Sequence, residues 1–188
     1  MTTATCTAFA GNRLIASGAP SAVVVAVKAA HDAGEAVLVF DDADARPVEF
    51  DLRGDLADVL ARLPSEVAVK RGPGRPKLGV TAREVTLLPR HWDWLAAQPG
   101  GASVALRKLV ENALREAEGP DRVRGSREAA YRFMTAVAGD QPGYEEATRM
   151  LFAGDRDAFD ASTDAWPVDV RDYARLLAEG SWRNSRGR

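Results

Sequence analysis

Lys70, Arg71, Arg75 and Lys77 fall within eight residues, interleaved with Gly72, Pro73, Gly74 and Pro76, and this stretch carries the clearest chemistry in the sequence. Proline fixes φ and holds the residue before it extended. Glycine removes the side chain that would keep a backbone off a groove floor. An arginine held this way suits a narrow, electronegative slot such as the minor groove of A·T-rich DNA. Arg75 is placed to enter it. Gly74 and Pro76 shape the backbone around it, and Lys70, Arg71 and Lys77 are placed to meet phosphates.

A second cluster, Asp41-Asp42-Ala43-Asp44, follows an apolar run. Asp-x-Asp after a buried strand can serve as a phosphotransfer nucleophile and Mg²⁺ site, as in haloacid-dehalogenase-like enzymes. Here Ala45-Arg46-Pro47 replaces the Thr or Val expected next, and the chain returns at once, so a hairpin turn accounts for the aspartates. A Mg-dependent enzyme built on this turn stays as the least favoured alternative. His91 and Asp93 are not a catalytic pair on spacing alone, because positions i and i+2 of a helix diverge. One cysteine and two histidines leave a zinc site without enough ligands. No Gly-x-Ser-x-Gly, Walker or dinucleotide fingerprint occurs. The expectation is a protein that is not an enzyme and takes no metal or cofactor.

These residues need a scaffold, and the composition supplies one. Of 188 residues, 46% are hydrophobic and 28% charged, ordinary values for a globular chain that can fill a core. The net charge of −2 gives no global field toward nucleic acid, so attraction to DNA has to be local. A single cysteine, Cys6, allows no internal disulfide and fits a reducing cytoplasm, where a buried, inert thiol is expected. No apolar run of membrane-spanning length and no leader-like N-terminus are present, so a cytoplasmic protein is expected, nucleoid-associated if it binds DNA.

The pattern along the chain predicts an α+β protein in four regions. Residues 1–63 read as a small ββαββα domain: strands over 5–10 and 13–16, a helix from Pro20 to about residue 33, strands over 35–40 and 47–52, and a short helix over 56–63 capped by Asp55. The β-branched run at 22–27 leaves a strand open as the alternative to the first helix. Residues 64–81, crowded with Pro, Gly and cations, read as a basic linker. Residues 82–118 give a strand over 83–88, a helix over 90–98, a break at 99–103 and a second helix over 104–118. Residues 119–188 read as a run of helices with short breaks. On the helix over 90–98, Trp92 and Leu95 share a face, for which core packing is the default, and Trp94 lies on another.

The strand-helix-helix segment resembles the ribbon-helix-helix repressors of the Arc/MetJ type, on Val85-Thr86-Leu87-Leu88-Pro89 and Gly101-Ala102-Ser103. The resemblance implies that two chains pair one strand each and that the ribbon enters the major groove. Arg83 and Thr86 are then the strand residues suited to DNA, and Ser103 with the first amides of the second helix meets a phosphate. Glu84 and Leu88 suit a polyanion poorly, so two readings stay open: a ribbon that reads bases, and one that only joins two chains. The Gly74-Arg75-Pro76 segment resembles an AT-hook of the high-mobility-group type. Pro73 stands where that motif has its first arginine, which leaves the deep contact to Arg75 alone.

Across nearly its whole length the chain resembles an uncharacterised bacterial domain-of-unknown-function family. The residues that carry the likeness are those from Ala82 to Trp92, Gln98-Pro99-Gly100-Gly101-Ala102-Ser103, and those from Ser126 to Met134. That resemblance implies no activity. The sequence reading is therefore a homodimeric DNA-binding protein, a transcriptional regulator or nucleoid-associated factor, with A·T-rich duplex as partner and no membrane. A dimeric protein-interaction module without DNA binding is the alternative.

Overall fold

The computed structural model describes residues 5–64, 81 and 83–182. The chain divides into two units, Met1–Pro64 with Pro120–Arg188, and Ser65–Gly119.

In the first unit, β1 (Cys6–Ala10) and β2 (Arg13–Gly18) form an antiparallel hairpin through Gly11, whose φ of 55° lies in the left-handed region. A register shift between Ala8 and Phe9 adds a bulge to the pair. β3 (Val37–Asp41) pairs antiparallel with the other edge of β1, giving the order β2-β1-β3. β1 is central and every residue in it is buried, because both faces of the sheet are covered. Cys6 and Ala8 point to one face, where they cluster with Val23, Val27 and Val39. Phe9 points to the other, where it joins Phe40 and the helices that close the chain. The strand's period of two thus sorts one short sequence into two cores.

The first core is roofed by α1 (Pro20–Asp32), with Pro20 in its first turn and Val23, Val24, Val27 and Ala30 buried. The β-branched run is helical because its spacing seats these residues together on the sheet. The second core comes from the last turns of α4 (Gly101–Val137) and from α5 (Tyr144–Ala153), α6 (Arg156–Thr163) and α7 (Val168–Ala178). Phe133 sits at its centre, 5.1 Å from the Phe9 ring, 5.2 Å from Phe40 and 4.8 Å from Tyr173 by ring centroids. Such tilted and edge-on contacts add to the burial of four large rings. The first and last regions of the sequence, read as separate, therefore share one core.

Three expected elements differ, the third of them in the second unit. The fourth strand at 47–52 reduces to one bridge, Phe40 with Pro47, and one bond from the Val48 amide to the Val39 carbonyl at 2.8 Å. Pro47 has no N–H for the ladder, and beyond it Val48, Phe50 and Leu52 pack as extended chain against the first core. The break expected near Gly119 is absent: α4 runs on through Pro120. The helix formers on either side, from Ala113 to Glu118 and from Arg127 to Ala130, hold the helix across the missing N–H. The short helix α2 (Leu56–Arg62) forms as expected, with Asp55 and Asp58 in a reciprocal capping box.

In the second unit, α3 (Pro89–Ala96) leads through Gly100 and Gly101, with φ of 87° and 74°, into the first turns of α4. A Cβ at Gly100 would press on the Val104 side chain at 3.2 Å, so the position needs glycine for both shape and space. Residues 83–88, read as a strand, are irregular in this single chain. Among the described residues this segment pairs with no strand, and an unpaired extended segment does not hold strand geometry alone.

Candidate functional site

The predicted DNA-contact residues divide sharply. Lys70, Arg71, Gly74, Arg75, Pro76 and Lys77 lie outside the described residues. Arg83 and Thr86 are exposed on the irregular segment before α3, and Ser103 is exposed in the first turn of α4. Trp92 does not take the core position expected of it. It is exposed, as is Trp94, while Leu95 on the same helix is buried. In α4, Leu109, Val110 and Leu114 are exposed as well, and Ala105 is buried. Among the described residues the unit thus carries seven large apolar side chains in the open, these five with Val85 and Leu88 on the segment before α3, against two buried positions, Leu95 and Ala105.

The acidic turn is well ordered by its own side chains. The Asp41 carboxylate accepts the Ala43 amide at 2.8 Å and Asp44 accepts the Arg46 amide at 3.0 Å. These are the side-chain-to-backbone bonds that favour aspartate in turns. Between them Ala45 is fully buried with φ 53°, a left-handed alanine held by the Asp41 carbonyl at 2.8 Å and by the second core. Arg132 of α4 grips the Asp44 carbonyl. Asp42 faces a different set of partners. Its Oδ1 accepts the Thr7 hydroxyl at 2.7 Å and the Tyr173 hydroxyl at 2.9 Å, and Ser17 bonds Thr7 at 2.9 Å. Ser17, Thr7, Asp42 and Tyr173 thereby link β2, β1, the acidic turn and α7 in one chain of hydrogen bonds.

This setting fixes protonation. Burial, with help from the hydrogen bond to Asp42, raises the Tyr173 hydroxyl above its ordinary range, so it stays a donor at neutral pH. Burial, and then the charges of Asp42 and Asp41, push the Cys6 thiol up to about 11. A thiol held protonated and buried is a poor nucleophile, in line with the inert role expected of it. Asp41 and Asp44 are engaged by backbone amides, and among the described residues no three His, Cys, Asp or Glu side chains converge as a metal site.

Beside the network lies a cavity of about 340 Å³. Asp42, Ser126 and Tyr173 line it with polar groups, and Ala129, Leu176 and Leu177 with apolar ones. Sequence reading singled out Asp42 for its chemistry, Ser126 only as the start of a stretch that carries the family likeness, and Tyr173 not at all. Tyr173 reaches Asp42 only because α7 packs against the sheet. A Cβ at Gly180 would overlap the Ser126 hydroxyl, so glycine there leaves room for that group.

Among the described residues no helix is long and apolar enough to cross a membrane. A protein-family profile described as "uncharacterized protein conserved in bacteria (DUF2239)" matches residues 5–178. No curated protein and no solved structure matches the chain.

Proposed function

The chain belongs to the bacterial DUF2239 family, which lends it no activity, and from its own residues we propose a DNA-binding protein that works as a homodimer through the 65–119 unit. One observation carries the dimer: among its described residues this unit exposes Val85, Leu88, Trp92, Trp94, Leu109, Val110 and Leu114 and buries Leu95 and Ala105. Large apolar side chains left in water in this number are what a covering partner would bury. A second copy, pairing its own 83–88 segment and packing its own helices, is the partner that the ribbon-helix-helix resemblance names.

The duplex contact rests on the cationic Gly/Pro stretch from Lys70 to Lys77, which belongs to the same unit. A single hook binds weakly, and a dimer presents two on one duplex, so that the second contact is intramolecular. Arg83, Thr86 and Ser103 would add contacts to bases and phosphate from the ribbon and the start of α4. The roles consistent with this reading are a transcriptional regulator or a nucleoid-associated factor.

Fluorescence anisotropy with A·T-rich and G·C-rich duplexes at two salt concentrations tests it. The A·T duplex should bind more tightly, and its affinity should fall steeply with salt as counterions are released. A dimer by light scattering with no duplex binding at low salt would leave the protein-interaction module in its place.

A further inference from the structure

We propose that the cavity between the acidic turn, α4 and α7 is a binding site for a small primary amine, with the ammonium at Asp42 and a short aliphatic body along α7. Its size, about 340 Å³, falls at the small end of ligand pockets, which run from about 300 to 1,000 Å³.

The polar lining groups are acceptors. Thr7 and Tyr173 both donate to the same oxygen of Asp42, so among the described residues Oδ2 is the carboxylate atom left to accept. Tyr173 has committed its only proton to Asp42 and offers its lone pairs. Ser126 adds a hydroxyl, in the space that Gly180 leaves for it. An ammonium carries three donors and no acceptor, and these groups are its complement. An anion would meet a carboxylate and a spent phenol. Among the described residues that line it, Asp42 is the one ionisable acid or base apart from that phenol. The apolar lining, Ala129 with Leu176 and Leu177, suits methylene groups. Leu176 is 68% exposed and stands at the rim, which gives the ligand both an entrance and an apolar surface to cover.

Amide correlation spectra of the full chain, titrated separately with n-butylammonium, n-butanol and n-butyrate, test the site. Saturable shifts around Ala43, Ser126 and Leu176 are expected with butylammonium. The alcohol should bind the same place roughly fivefold to tenfold more weakly, the difference between a charge-assisted and a neutral hydrogen bond. Butyrate should not bind. Asp42→Asn should bring the amine down to the level of the alcohol. Should that variant fail to fold, Leu176→Trp, at an exposed position, should block the entrance and weaken amine and alcohol alike. The proposal is overturned if butylammonium gives no saturable shifts, if the three solutes bind equally, or if the amine's shifts survive Leu176→Trp unchanged.

Discussion

The Tyr173 hydroxyl donates to Asp42 Oδ1 at 2.9 Å, across 131 positions of sequence. That bond ties the last long helix to a turn that leaves the edge strand β3. Phenylalanine keeps the ring against Phe9 and Phe133 and removes only the donor. Tyr173→Phe should therefore cost about 1.5–3 kcal/mol, the range for a hydrogen bond to a charged group. Urea unfolding checks it: the midpoint should fall while the slope stays the same. An unchanged midpoint would mean that Thr7 alone satisfies Asp42.

The same tyrosine and Cys6 set the alkaline limit of stability. Both groups hold their protons more tightly in the folded chain than in the unfolded one, Tyr173 above its ordinary range and Cys6 up to about 11. With more protons bound in the native state, stability falls as pH rises. The contribution is whole below the unfolded thiol's value of about 8.5 and is lost progressively as pH climbs past it, the tyrosine adding its share above about 10. Urea midpoints measured from pH 8 upward should decline. Cys6→Ala should flatten the first part of that decline and leave the tyrosine part in place.

Local chemistry was legible in the sequence and distant pairing was not. Asp55 read as a cap because an aspartate before an apolar run satisfies the first free amides of a helix, and the capping box is there. Pro20 opened α1 for an equally local reason, and the aspartates from Asp41 to Asp44 read as a turn because their side chains bond amides two residues on. The strand at 47–52 was misjudged on apolar alternation, which an extended segment packed on a core also satisfies. Residues 119–125 read as a break between two helices, yet α4 runs through them, because proline weakens a helix without ending it where the flanks are strong formers. Nothing near Phe9 or Phe40 says that Phe133 and Tyr173 will meet them, and so neither the shared core nor the cavity could be found from residue patterns. The contact residues from Lys70 to Lys77 are a motif reading, and the described residues leave it as one.

Phe133 gives a direct check on the shared core. Its ring touches Phe9 of β1, Phe40 of β3 and Tyr173 of α7. Phe133→Ala should cost about 3–5 kcal/mol, as for other large-to-small changes at fully buried aromatic sites. Because the first 64 residues and the last 69 meet at this ring, they should lose protection together. Hydrogen exchange of the full-length variant should show amides of β1 and of α7 opening at the same free energy. Faster exchange confined to the helices would mean that the sheet and α1 stand as a separate cooperative unit.

Dimer and duplex can be separated by two substitutions in the same unit. Val110 is 55% exposed on α4, so Val110→Glu disturbs no packing within the chain and places a charge where a second copy would lie. Light scattering should show a monomer. If two hooks act together, that monomer should also lose roughly 10²-fold in affinity for A·T-rich duplex, the lower end of the gain that linked contacts give. Arg75→Ala should do the reverse, keeping the dimer and losing well over about tenfold in affinity at low salt, with a shallower salt dependence because one cation fewer enters the groove and displaces counterions. A Val110→Glu monomer that binds duplex as tightly as the parent would break the coupling and leave Arg75 to act alone. A dimeric Arg75→Ala variant with undiminished affinity would remove the hook and move the contact to Arg83, Thr86 and Ser103, where a steep dependence on base sequence in place of A·T content would mark major-groove readout.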